Sequence, residues 1–506
     1  MFVPVVIAVL PLLARASAQF TESELQAFLI NTSATIFPPL KTLSQAIWSR
    51  PELSLSEVFA SGLIADHFET EGGWTVTRGA YGLPTALEIT WKSSTPPSAV
   101  SVPVIGILAE YDALAFPGLT GLHACGHNLI ALNGIATASL IRKAAEHYNI
   151  PVEIRLLGTP DEEFTGGKIR MSRVGAFTRG DVWLMAHPTT VNAIQPMGAR
   201  HDVVLSFEGT NHFETIAKAY KALVGVDDLA GKLPGTASVA TPTENTGTFE
   251  MNVVQTNILF GVVGDATVVE NAMIQAKATR TAFSGVSWTT TTDNTGVVLN
   301  ITGPGGHAAE GTFGALALSA ETFRILSLSQ PTYQYFLPHN TTVTQLDLTI
   351  STRSRYTADM SSVEAAVLAA VQPYFTKASW DTIFLALEVS PYLGGRISSI
   401  YSEFGINFPI SSNAPAATDA AWLQQPVVDP STHALLSEKV PVLHANYGIC
   451  PNTTGCPFNH EAGFAALAGT DFAYGETERM SRVEAQIALE LLTDPVKMAA
   501  ARALVR

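Results

Sequence analysis

Leu122-His123-Ala124-Cys125-Gly126-His127-Asn128 sets a thiol and an imidazole on either side of one glycine, two metal ligands within reach of a single ion. Upstream runs the apolar stretch Val102 to Leu108, ending in Glu110-Tyr111-Asp112, and downstream Leu129 to Tyr148 is rich in Ala, Leu and Ile. This pattern predicts a buried strand, a ligand-bearing turn and a helix N-terminus. The same grammar recurs twice. Val152 to Leu157 leads into Gly158-Thr159-Pro160-Asp161-Glu162-Glu163, and Asp181 to Ala186 leads into His187-Pro188. Alternating strand and helix patterns imply an α/β fold, in which successive strand ends converge on one edge and ligands bind in the crevice beyond it.

Around this centre, residues 21–70 show apolar positions recurring at three and four, the mark of outer helices, and 74–91 and 102–108 look like strands. Residues 199–390 differ in texture. They contain a strand from His201 to Gly209, a helical piece to about Val224 and the Gly/Thr/Pro-rich stretch GKLPGTASVATPTENTG, expected as loop. Strands are then expected at 251–263, 270–281 and 296–302, a helix through Leu326, a strand from Leu346 to Ser351, a helix from Ser361 to Ala370, and a strand near Phe384 to Val389. This stretch reads as an inserted, enlarged domain of 199–390. The first domain, 19–198, resumes at 391–506 and closes with a helix around Met480 to Leu492.

Composition narrows the function classes. With 506 residues and 47% apolar content the chain can bury large cores. A formal charge of −15 and the lack of any Lys/Arg run argue against a nucleic-acid partner and favour a small-molecule or short-peptide substrate. Residues 1–18 read as a signal peptide, an apolar run closing on Ala16-Ser17-Ala18. No other stretch of eighteen apolar residues follows, so a secreted, lumenal or vacuolar protein without a membrane partner is expected. Sequons begin at Asn31, Asn300, Asn340 and Asn452, compatible with glycosylation on that route. The three cysteines divide into Cys450 and Cys456, close enough for a disulfide loop, and a lone Cys125. An unpaired thiol in an oxidising compartment is a liability unless it is buried or holds a metal.

HACGHN at 123–128, TPDEE at 159–163, AHP at 186–188, GGHAAEG at 305–311 and a late His460 beside Phe464 occur in order over most of the chain. Together with AEYDAL at 109–114, they make the chain resemble the co-catalytic metallopeptidase family of aminoacylases, auxin-conjugate amidohydrolases and carnosinase-like dipeptidases. It looks most like the amidohydrolase and dipeptidase branch, whose metal site uses a cysteine. The resemblance implies a mixed-sheet α/β catalytic domain interrupted by an α+β lid. It implies Cys125, His127, Glu163, His187 and His460 as ligands to one or two divalent ions, Zn2+ foremost and Mn2+ or Co2+ as alternatives. Thiolate, imidazole and carboxylate donors suit that choice.

The same resemblance gives Glu162 the part of general base, Asp112 that of orienting the site, and His307 that of stabilising charge on the scissile carbonyl from the lid. Glu110 stands where other branches carry a metal-binding histidine. Asn340 and Arg353, thirteen positions apart, have the family's spacing for a pair that holds the substrate carboxylate. Arg280 is a rival for that clamp, and a glycan on Asn340 would exclude a buried contact there. Ala417-Thr418-Asp419 resembles the family's Thr-Asp element, and His444 is expected either to touch substrate or to bond a backbone group. The implied activity is metal-dependent hydrolysis of the C–N amide bond in small N-acyl amino acids, amino-acid conjugates or dipeptides with a free carboxylate, by a possible homodimer. Two readings share the same residues: a biosynthetic enzyme forming the amide, and a non-catalytic binding protein on this fold.

Overall fold

The computed structural model describes residues 20–94, 102–116, 119–229, 232–233, 238–244, 253–254, 256–304, 306–307, 314–414, 416–425, 427–428, 435–437, 440–452 and 455–503. The expected signal peptide lies outside the described residues. A seven-stranded mixed sheet runs in the order Thr75–Arg78, Leu87–Lys92, Glu153–Gly158, Val104–Ala109, Val182–Thr189, Val442–Gly448, Ala193–Ile194. Its four central strands are mutually parallel, and the outer pairings are antiparallel. Parallel strands need crossovers that cover the sheet faces, which accounts for their nearly continuous apolar sequences. Parallel direction has a second consequence. The carboxyl ends at Ala109, Gly158, Thr189 and Gly448 lie along one edge.

The helix His127–Tyr148 follows directly from the ligand-bearing turn and is buried on almost every face. It packs on the central strands from inside and against the helices Glu22–Ser49 and Asp471–Thr493 from outside. A helix apolar all round belongs in the core of a large domain. Where it needs neighbours close, a small residue admits them: a Cβ on Gly134 would stand 3.0 Å from the Leu108 carbonyl of the strand beneath. Among the described residues no helix is long and apolar enough to cross a membrane.

Residues between the strands Ala193–Ile194 and Val442–Gly448 build a second core, running from Val203 to Val371. It lies in two four-stranded sheets with their helices. One sheet orders Ser287–Thr292, Val297–Thr302, Asn257–Val263 and Gln334–Phe336; the other orders Lys377–Trp380, Ala199–Glu208, Gln345–Ser354 and Ser238–Glu244. The fold is therefore a mixed-sheet α/β domain with an inserted α+β lid.

Three local expectations differ. Residues 270–281, expected as strand, lie in or just after the helix Ala266–Ala278, begun by the Asp265 side chain accepting from Thr267 N and Val268 N. Its buried positions Val269, Ala272, Met273 and Ala276 keep a helical spacing that outweighs the β-branched run at its start. Ser238–Glu244, expected as loop, pairs along Gln345–Ser354 at the sheet edge, where its proline is tolerated. Phe384 and Leu387, expected within a strand, form only isolated bridges to Arg200 and Met197.

Candidate metal centre and its cavity

Each candidate ligand but His460 is delivered by a strand end or by the segment that follows one. The turn after Val104–Ala109 carries Glu110, Asp112, Cys125 and His127; the turn after Glu153–Gly158 carries Glu162 and Glu163; His187 sits near the end of Val182–Thr189. His460 arrives from a distant loop, fixed by its own N–H donating to Ala124 O at 2.8 Å. Gly126, between Cys125 and His127, has φ +80°, and a Cβ there would come 2.6 Å from Pro188. Only glycine meets both demands without strain.

Three of the resulting groups bring their donor atoms within 4.8 Å of one another: Cys125, His127 and His187; Cys125, Glu163 and His460; and His127, Glu162 and Glu163. Cys125 Sγ is 3.4 Å from His187 Nε2, and Glu163 faces His127 Nε2 at 3.6 Å and His460 Nε2 at 3.5 Å. At 3.6 Å the Glu163–His127 pair is too long for a hydrogen bond, and the spacing of the set suits donors grouped about a shared centre. The opposite sides of the two neighbouring imidazoles are tied down. His127 Nδ1 meets Asp112 Oδ1 at 2.8 Å, and His187 Nδ1 meets the Pro188 carbonyl at 2.9 Å. Such outer bonds fix ring orientation and tautomer, leaving His127 Nε2 buried with no hydrogen-bond partner among the described residues. Asp112 is itself held by Ser54 Oγ at 2.9 Å and the Glu163 N–H at 3.0 Å.

The electrostatics agree with a cation-seeking cluster. Burial raises the Cys125 thiol well above its ordinary range, and Glu163 pushes it further. Burial and the neighbouring Glu110 and Glu163 raise Glu162 in the same way. Burial also disfavours charge on Asp112, yet the facing His127 outweighs it and holds the carboxyl at about 2. A dication would neutralise this set of thiol and carboxylates while drawing on the imidazoles. The residues present fit the group.

Cys125, Glu162, Glu163, His187 and His460 line one cavity of about 270 Å³, together with Arg200, Arg353, Thr418, His444 and Asn446. Arg353, on Gln345–Ser354, stands directly across from Arg200 on Ala199–Glu208. Arg200 is bound by Asp202, its Nε donating at 2.7 Å. Among the described residues Arg353 Nε and Nη2 are buried with no hydrogen-bond partner. Burial, then Arg200, lowers Arg353 to about 9.

The other sequence candidates fall elsewhere. Arg280 is ion-paired with Asp227, outside the cavity lining. Asn340 is exposed, its carboxamide oxygen accepting from Thr342 at 3.3 Å, and it does not line the cavity. His307 pairs through its backbone with Val253; its side chain and residues 308–313 lie outside what is described. Among the described residues neither ring nitrogen of His444 has a hydrogen-bond partner, and the ring stacks on His187 at 5.8 Å. Asn31, Asn300 and Asn452 are exposed like Asn340, and Cys450 and Cys456 form a disulfide. Sequence reasoning missed Arg200, Asn446 and Lys168. The alternation in Val442–Gly448 puts Asn446 on the face of His444, a signal that was available.

No protein-family model matches the chain. Over 180 residues, 34% of its length, it is 45% identical to the Xaa-Arg dipeptidase of Homo sapiens. Over 160 residues, 29% of its length, it is 33% identical to one of the subunits of p-aminobenzoyl-glutamate hydrolase from Escherichia coli strain K12. The matches span 40% and 31% of those relatives' own lengths. The crystal structure of the aminobenzoyl-glutamate utilization protein from Klebsiella pneumoniae superposes with a TM-score of 0.52, covering 90% of this chain and 98% of that one at 12% identity. Fold and donor set thus define an α/β domain with an inserted lid around a candidate metal centre. Over those stretches the chain is similar to a dipeptidase and to a hydrolase subunit, and along most of its length it shares the fold of the utilization protein.

Proposed function

We propose that the protein is a metal-dependent amidohydrolase that cleaves the C–N amide bond of small N-acyl amino acids, amino-acid conjugates or dipeptides carrying a free carboxylate. The observation that carries this reading is the sharing of one cavity by the ligand cluster, Glu162 and the unpartnered guanidinium of Arg353. Cys125, His127, Glu163, His187 and His460 would hold the metal, and the mixed sulfur, nitrogen and oxygen set favours zinc. A bound divalent ion would polarise an amide carbonyl and lower the pKa of a water to about 7.

The chain's own residues supply the rest. Arg353 grips the substrate carboxylate with two parallel N–H bonds, which sets the register of the amide against the cluster. Glu162, raised by burial and then by its acidic neighbours, accepts a proton from the attacking water and returns it to the departing amine. The Asp112–His127 bond keeps the ligand imidazole in one orientation throughout. We also read the chain as secreted and glycosylated, a reading supported by the Cys450–Cys456 disulfide and the exposed sequons.

The test is metal analysis of purified protein together with a hydrolysis screen over N-acyl amino acids, dipeptides and their C-terminal carboxamides. Bound zinc is expected, with free carboxylates cleaved at least about tenfold faster than their carboxamides. A well-folded protein that binds no metal and cleaves none of these would refute the reading.

A further inference from the structure

Lys168 has no part in the steps above, yet its side chain is fully buried beside them. Its ammonium is ion-paired with Glu110 and, at 2.7 Å, with Asp419 Oδ1, while its backbone N–H donates to Asp419 Oδ2 at 2.8 Å. Glu110, Glu162 and Asp419 bring carboxylate oxygens within 4.8 Å of one another. These acids come from three separate places. Glu110 follows the strand Val104–Ala109, Glu162 follows Glu153–Gly158, and Asp419 opens the turn Asp419–Gln424 just after the cavity-lining Thr418. Clustered carboxylates are what a hard divalent cation takes as ligands. Here a cation of the chain's own is already clasped by two of them.

We propose that Lys168 is a positioning residue: its ammonium fills the Glu110–Glu162–Asp419 cage as a built-in cation, keeps a metal ion out of it, and so leaves Glu162 at the edge of the ligand cluster as a base rather than a ligand. The role given to Glu162 rests on the proposed hydrolase function; the occupancy of the cage does not. Without the ammonium, three buried carboxylates repel one another and must gather another cation or a proton. A metal ion there would take Glu162 as a ligand, and a shift of about 1 Å in such a group costs on the order of 100-fold in rate.

The experiment uses the full chain loaded with zinc, comparing wild type with Lys168→Ala for metal content per chain, kcat and KM. Ethylammonium is then added to the variant, with ethanol as the uncharged control. Lys168→Ala should carry one divalent ion more than wild type, lose about 100-fold in kcat with KM changed less than about threefold, and regain kcat with ethylammonium but not ethanol. An unchanged metal count overturns the proposal, as does a wild-type kcat or equal rescue by ethanol. If Lys168→Ala fails to fold, Lys168→Met/Glu110→Gln removes one charge of each sign. A loss of at least about tenfold in kcat then supports the proposal, and full kcat overturns it. If wild type cleaves no amide, the proposed function fails separately, and the metal count alone decides whether the cage holds.

Discussion

Replacing Arg353 with methionine should move stability and catalysis in opposite directions. The guanidinium is 8% exposed, faces Arg200 across the sheet, and leaves Nε and Nη2 without hydrogen-bond partners, while the nearby Asp202 is engaged by Arg200. Its pKa is lowered to about 9, so at neutral pH the folded protein carries a charge that burial disfavours and the unfolded chain does not. Substituting a side chain of similar length without charge should relieve that cost and stabilise the protein by about 1–4 kcal/mol. In catalysis the same change leaves the substrate carboxylate buried without its partner, a loss of about 2–5 kcal/mol, or roughly 30- to 4,000-fold in kcat/KM. A substrate whose carboxylate is replaced by a carboxamide should lose less than about threefold, because it never made the charged contact. Urea unfolding and initial-rate kinetics on the matched substrate pair measure both effects. A destabilised variant, or equal losses on the two substrates, would refute the assignment of Arg353 as the carboxylate anchor.

Glu162→Gln should lower kcat by about 100- to 10,000-fold and leave the metal content at the wild-type value by elemental analysis. Asp112→Asn should weaken metal affinity by about 10- to 100-fold in a chelator competition, because the His127 ring loses its charged orienting partner. Away from the site, Glu484 is fully buried, accepts from Thr137 at 3.2 Å and is raised by burial from 4.5 to about 8. The folded protein therefore keeps a proton that the unfolded chain releases above 4.5, and the stability this gives falls as pH rises from 4.5 towards about 8. Glu484→Gln mimics the protonated side chain and should flatten that fall, seen as urea midpoints compared at pH 5 and pH 8. An unchanged slope would show that Glu484 titrates normally.

What the sequence determined alone was everything written in short-range pattern. Apolar runs ending in Glu110-Tyr111-Asp112, Asp161-Glu162-Glu163 and His187-Pro188 are local signals, and the strand–helix alternation around them implies parallel strands whose ends meet. The candidate ligand set came from the family resemblance; within it Glu163 and His187 stand beside such ends, and Cys125 and His127 stand where the next helix begins. Local pattern also misled where two signals overlapped. Thr267-Val268-Val269 suggests a strand, while the spacing of Val269, Ala272, Met273 and Ala276 is that of a helix face, and burial of that face decided.

Only the tertiary structure decided between Arg280 and Arg353, which sequence spacing left as rivals. Asp227 engages one, and the other stands opposite Arg200 in the cavity wall. Lys168 was invisible for the same reason: its partners Glu110 and Asp419 lie 58 and 251 positions away. Periodicity records which face of an element is apolar, because each side chain registers that locally. Which buried charge meets which is set by the packing of distant elements, and no stretch of sequence carries it alone.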